Sequence, residues 1–139
     1  MELDDITQYR SLGWDFDMTL HGHPQSQKFW DYIYENPHCQ THHIVTFRTG
    51  RLLDRIWRDL SNAGCRLLPF QFRGVHGVPD ELYEAWVHGL DQGIEFMFWK
   101  GKVCRELGIE CLIDDATMEV WSGCSEYEIA YVHPDMVSL

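Results

Sequence analysis

The sequence predicts an α/β fold, a three-layer sandwich around a mostly parallel sheet of about five strands. Two observations carry this expectation. Short apolar segments alternate with stretches of helical periodicity, and the links between them are short. Acidic residues stand directly behind two of the apolar segments, where parallel sheets gather ligand-binding groups.

Taken in order, residues 1–10 read as a polar lead-in, and residues 11–16 as a short strand ending at Asp15 and Asp17. Over residues 27–35, Phe29, Trp30, Ile33 and Tyr34 share one helix face, and Asn36 with Pro37 stops that helix. Residues 42–47 give a second strand around Ile44 and Val45. Residues 51–63 form the clearest helix, with Leu52, Leu53, Ile56, Trp57 and Leu60 as its stripe and Gly64 as its terminator. A third strand is expected at 66–72, although Pro69 lies inside it. Pro79 and Asp80 open a further helix through Leu82, Tyr83, Trp86, Val87 and Leu90. After a break at Gly93, residues 95–99 fit either helix or strand, and 100–107 fit a helix ending at Gly108. Residues 109–113 form a strand that runs into Asp114 and Asp115. Thr117 caps a short helix to Trp121, and 127–132 is the last strand, closed by His133 and Pro134. Strands covered by helices on both faces give a Rossmann-like architecture.

Composition narrows the class. The 139 residues suit one domain over 1–139, and 45% hydrophobic residues are enough to build its core. No apolar run is long enough for a transmembrane helix, and MELDDITQYR lacks the basic and apolar regions of a signal peptide. Five cysteines, an odd number without a CxxC pair, point to free thiols and a cytoplasmic protein. A net charge of −11 argues against a sequence-independent grip on nucleic acid. It also means that an anionic substrate needs local help from a metal or a few cations.

If the topology is right, Asp15, Asp17, Thr46, Asp114 and Asp115 converge on one rim. Four neighbouring carboxylates stay ionised only when something offsets their repulsion. Mg²⁺, a hard cation with oxygen ligands, is the expected partner, with Lys100 and Arg48 as nearby positive charges. Cation, ammonium and hydroxyl together describe a site for a phosphoryl group, held by Thr46, Arg48 and Lys100. Each feature has a plainer reading when taken alone. An Asp pair is usually a solvated turn, Thr46 a β-branched strand residue, and Lys100 a surface helix residue. Arg48 and Arg51 are open between substrate contacts and partners for local carboxylates. His21, His23, His38, Cys39, His42 and His43 have irregular spacing for zinc, and His21 or His23 could line the site mouth. The aromatic helix at 29–34 reads as core, with an exposed homodimer patch as the alternative.

The same residues carry a resemblance. WDFDMTL is similar to the first motif of the haloacid dehalogenase-like (HAD) superfamily, DxDx[TV] after an apolar strand. HHIVTFRTG resembles its second motif, and WKGKVCRELGIECLIDDA its third and fourth, over residues 12–132. Gly13 departs from the bulky aliphatic lead that the family prefers. The resemblance implies a nucleophile at Asp15 that forms an aspartyl-phosphate, and an acid and base at Asp17. It implies a phosphoryl contact at Thr46 and a neutralising ammonium at Lys100. Lys100 is preferred to Lys102 because it stands three residues before Val103. Mg²⁺ would be held by Asp15, Asp114, Asp115 and the backbone carbonyl of Asp17. About twenty residues after Leu20, and about fifty between Thr49 and Lys100, leave no room for a large cap domain. The implied activity is a Mg²⁺-dependent phosphatase acting on a phosphorylated small molecule or a phosphoprotein. The rivals are a catalytically silent protein of the same fold that binds a phosphorylated partner, and a phosphotransferase.

Overall fold

Seven strands and six α-helices alternate along the protein in a computed structural model that describes residues 3–90 and 94–139. The chain runs through β1 (Asp4–Asp5), β2 (Ser11–Trp14), α1 (Ser26–Glu35), β3 (Thr41–Thr46), α2 (Gly50–Asp54) and α3 (Ile56–Asn62). It continues through β4 (Gly74–Gly77), α4 (Asp80–Val87), α5 (Ile94–Leu107), β5 (Cys111–Ile113), α6 (Thr117–Glu126), β6 (Ala130–Val132) and β7 (Val137–Ser138). The central sheet has the order β4-β3-β2-β5-β6, and every pairing in it is parallel. From β2 the chain builds outward through β3 to β4, then returns to the other side of β2 with β5 and β6. The carboxyl ends of β2 and β5 therefore flank the point where the winding reverses, the usual place for a ligand in such a sheet.

Each face of the sheet buries its own core. Leu12, Trp14, Ile44 and Ile113 meet Phe29, Trp30 and Ile33 of α1 and Ile56 and Leu60 of α3. On the opposite face, Val45 and Leu112 meet Cys104 of α5 and Val120 and Cys124 of α6. Gly13 has a use on that second face, because a Cβ there would press on Ile109 and Leu112 at 3.3 Å. Phe29, Trp30 and Ile33 of the α1 stripe lie in the core, whereas Tyr34 is exposed. Among the described residues no helix is long and apolar enough to cross a membrane. The five cysteines are free.

Several elements differ from the sequence expectation. The lead-in is part of the fold: β1 pairs with β7 in a separate two-stranded sheet, and Ile6 is fully buried. The third strand is not at 66–72. Pro69 removes a ladder donor, residues Pro69–Gln71 coil into a 3₁₀ turn, and the strand moves to Gly74–Gly77. Its glycines look like breakers, yet Gly77 is required, since a Cβ there would lie 2.7 Å from the Arg48 carbonyl oxygen. The helix expected at 51–63 is two helices broken at Arg55. The Leu52 carbonyl accepts Arg48 Nη1–H (3.0 Å) as well as the Arg55 N–H (3.3 Å), and Leu52 itself is 53% exposed. Residues 95–99 join 100–107 in the single helix α5. The short helix at 117–121 extends to Glu126, and the last strand shortens to Ala130–Val132. The break expected at Gly93 lies outside the described residues.

Candidate active site

Two glycines bring the lysine to the sheet. Gly101 on α5 faces Gly123 on α6 so closely that a Cβ on Gly101 would stand 2.3 Å from the Gly123 backbone. Only glycine permits that approach, and Lys100, next to it, is driven into the interior with 1% of its surface exposed. Its Nζ donates to Asp15 Oδ1 (2.8 Å), just past β2, and to Asp114 Oδ2 (2.5 Å), just past β5. The Phe47 ring lies 4.4 Å from the same nitrogen, so the ammonium also meets an aromatic face. Lys102, by contrast, is exposed.

Further contacts fix both carboxylates. Asp114 Oδ1 accepts the Ala116 N–H (2.8 Å), and its backbone carbonyl accepts the Tyr131 hydroxyl (2.7 Å). Asp15 Oδ2 faces the buried Thr19 hydroxyl at 3.4 Å. The loop after Asp15 is tight: the Leu20 N–H bonds the Asp15 carbonyl (3.3 Å), and the His21 N–H bonds that of Phe16 (2.9 Å). Met18 sits at its tip with φ 61°, left-handed backbone that is uncommon for a non-glycine residue.

Carboxylate oxygens of Asp15, Asp114 and Asp115 lie within 4.8 Å of one another. Two of these carboxylates pair with the Lys100 ammonium and Asp115 stands beside them, a set of hard oxygen donors that could hold a cation such as Mg²⁺. Burial works against the Lys100 charge, but Asp114 and Asp15 outweigh it and hold the ammonium above the usual lysine value. Burial pushes the Asp15 carboxyl well above 3.8; Lys100 opposes this and Asp114 adds to it. A second cation beside Asp15 would relieve that strain.

Thr46 ends β3 at the same rim. Register pairs Trp14 with Ile44, which puts Thr46 beside the residues that follow β2. Its buried hydroxyl accepts the Arg48 N–H (3.0 Å), so its own proton is free for an acceptor at the site. Asp17 behaves differently from Asp15. Its carboxylate is outside the three-aspartate cluster, 53% exposed, and forked by Arg48: Nε–H to Oδ2 at 2.9 Å and Nη2–H to Oδ1 at 2.8 Å. Arg48 also donates to Asp59 Oδ2 (2.8 Å) and stacks over Phe16 at 4.5 Å. The Arg48 hydrogen bond holds the Asp59 carboxyl below the usual aspartate value.

No family model matches the chain, and no curated protein does. One solved structure is similar: the crystal structure of an uncharacterized protein from Corynebacterium glutamicum ATCC 13032 Kitasato. The two share 17% identity at a TM-score of 0.54, over 89% of this chain and 83% of that one. The fold is Rossmann-like. At that identity the likeness speaks to fold alone, and the chemistry has to be argued from the side chains.

Of the residues singled out in the sequence, Asp15, Lys100, Asp114 and Asp115 meet at one point, and Thr46 ends β3 on the same rim. Arg48 is paired with carboxylates. His21 stacks on Phe16 (5.3 Å) in the loop after β2. His23 is paired with Asp135, its Nε2 2.7 Å from Oδ1. Four contributors went unassigned: Thr19, Phe47, Asp59 and Tyr131. Thr19 lies inside the quoted DFDMT and had a signal; Asp59 and Tyr131 had none, because only tertiary packing brings them near.

Proposed function

We propose that the protein is a Mg²⁺-dependent phosphomonoester hydrolase of HAD type that works through an aspartyl-phosphate on Asp15. The observation that supports it is the buried Lys100 clasped between Asp15 and Asp114 at the switch point of the sheet, with Asp115 alongside. Asp15, Asp114 and Asp115 would hold the cation, together with the backbone carbonyl of Asp17. When bound, Mg²⁺ offsets the clustered carboxylates and the charge on the phosphoryl oxygens.

A carboxylate oxygen of Asp15 attacks phosphorus, and the bond to the leaving oxygen breaks. Asp17 gives its proton to that oxygen. The Asp17 carboxylate then takes a proton from water, whose oxygen attacks phosphorus, breaks the bond to Asp15 and yields inorganic phosphate. Lys100 and the Thr46 hydroxyl bind phosphoryl oxygens as charge shifts onto them. Without a large cap the mouth stays open to a phosphorylated small molecule or a phosphoprotein, and the five free thiols suit a reducing, cytoplasmic setting.

The test is turnover of p-nitrophenyl phosphate with Mg²⁺ and with EDTA. Metal-dependent release is expected, and Asp15→Asn abolishes it. A second reading is a silent protein that keeps the fold and binds a phosphorylated partner. The fork of Arg48 on both Asp17 oxygens favours it, since one of its two bonds must open before that carboxyl can carry a proton. A folded wild-type chain that turns over no phosphomonoester would leave that reading in its place.

A further inference from the structure

The guanidinium of Arg48 is fixed from three sides and presents one edge. Its Nη1 is tied to Asp59 Oδ2 (2.8 Å) on α3 and to the Leu52 carbonyl (3.0 Å) on α2, while Phe16 covers one plane. The remaining edge, Nε and Nη2, forks Asp17. Arg48 stands two residues after Thr46, and its backbone N–H orients the Thr46 hydroxyl. A guanidinium with that edge open would be a ready phosphate fork. Here the edge is filled by a residue of the site itself.

We propose that Arg48 is a positioning residue rather than a substrate ligand: anchored by Asp59, it sets the carboxylate of Asp17 at the mouth of the site. The phosphoryl group is left to Lys100, Thr46 and the cation. Asp59 then acts on the reaction at second hand, through Arg48. The inference rests on the phosphatase reading, in which Asp17 protonates the leaving oxygen.

Two consequences follow from the geometry. Lysine has one nitrogen, so it cannot reach both Asp17 oxygens and Asp59 together, although it keeps the charge. A misplaced proton donor hurts poor leaving groups most, because a good one departs without help.

The experiment compares p-nitrophenyl phosphate with an alkyl phosphate, with Mg²⁺, in wild type, Arg48→Lys, Asp59→Asn, Asp17→Asn and the Asp59→Asn/Asp17→Asn pair. Melting curves verify that each variant is folded. Arg48→Lys and Asp59→Asn are expected to lower kcat on the alkyl phosphate about tenfold or more, within the range that acid catalysis supplies. The loss on p-nitrophenyl phosphate is smaller, and KM changes little on either. Asp59→Asn adds nothing once Asp17 is already Asn. A rise in KM with kcat unchanged would make Arg48 a phosphate ligand and overturn the proposal. So would equal losses on both substrates, or an Asp59→Asn loss that persists undiminished beside Asp17→Asn. If Arg48→Lys does not fold, Asp59→Asn and the double variant decide. Failure of the phosphatase reading shows elsewhere: the folded wild type has no metal-dependent turnover, or Asp15→Asn keeps it, and the positioning role falls with that reading.

Discussion

At the amino ends of the strands Gln40 is buried, and at the carboxyl ends Lys100 is buried. The two sites handle polarity in opposite ways. The Gln40 side-chain amide donates to the carbonyls of Ile6 (2.8 Å) and Tyr9 (2.6 Å), and its oxygen accepts the Tyr32 hydroxyl. Its backbone N–H goes to Asn36 Oδ1 (2.8 Å). Close by, Trp14 Nε1–H donates to His42 Nδ1 (3.0 Å). These groups are neutral and partnered, so they tie the lead-in, α1 and β3 together and ask for no ligand. At the other end the Lys100 ammonium is clasped between the carboxyl groups of Asp15 and Asp114, with an Asp115 oxygen within 4.8 Å of theirs. A partnered neutral network holds a fold, whereas a buried charge imbalance is stable only with something further in place.

The largest expected effect comes from removing the cation at the charged end. Lys100→Met fits the space but leaves Asp15 and Asp114 buried without it. The expected loss of unfolding free energy is about 3–5 kcal/mol by urea titration in EDTA, the usual cost of breaking a buried pair. Mg²⁺ should restore part of this, because it supplies charge to the same oxygens. A loss under about 1 kcal/mol in EDTA would mean that the carboxylates are not paying for burial there, and the contrast between the two ends would fail.

At the neutral end acid should do what Lys100→Met does at the charged one. Burial, and then His43, lowers the His42 pKa to about 4; burial, then His76 and Arg73, lowers that of His43 to about 4. Both values lie below the ordinary 6.5, so the unfolded chain binds these protons first. The stability from neutral imidazoles is complete above about pH 6.5 and is lost as pH falls toward about 4. The loss is on the order of 2–3 kcal/mol for each histidine over the whole window. Geometry agrees, since a proton on His42 Nδ1 would face the Trp14 N–H. His42→Gln should flatten the fall in stability between about pH 6.5 and 5, above the range where most carboxylates titrate. An unchanged slope would remove His42 from the account.

The two ends were not equally legible in the sequence. The charged end announced itself: DFD behind an apolar run, DD behind another and a threonine at a strand end have positions set by local spacing, whereas Lys100, expected to open a helix, stands in the middle of α5. Strand and helix periods then delivered Asp15, Thr46, Lys100 and Asp114 to one rim. What stayed hidden depends on contacts between distant segments. The edge strand Gly74–Gly77 carries glycines because the Arg48 carbonyl and Leu53 lie against Gly77, which no local pattern reveals. The break at Arg55 arises because Arg48 binds the Leu52 carbonyl from outside the helix. The neutral end was missed for the same reason: Gln40 reads as a loop residue until Ile6 and Tyr9 close over it from the lead-in.

The smallest expected effect tests whether the two ends are independent. Tyr32→Phe removes one hydroxyl and leaves the Gln40 oxygen without its donor, while both bonds from the Gln40 amide remain. A single neutral hydrogen bond is worth about 1 kcal/mol, and that is the destabilisation expected by thermal or urea unfolding at neutral pH. The hydroxyl belongs to α1 and serves the amino ends of the strands, whereas the proposed reaction uses their carboxyl ends. Phosphatase turnover by the folded variant should therefore match wild type. A tenfold fall in kcat at unchanged KM, in a protein still folded at the assay temperature, would show that packing at the amino ends sets the carboxylates at the other. The neutral network would then belong to the catalytic apparatus as well as to the fold.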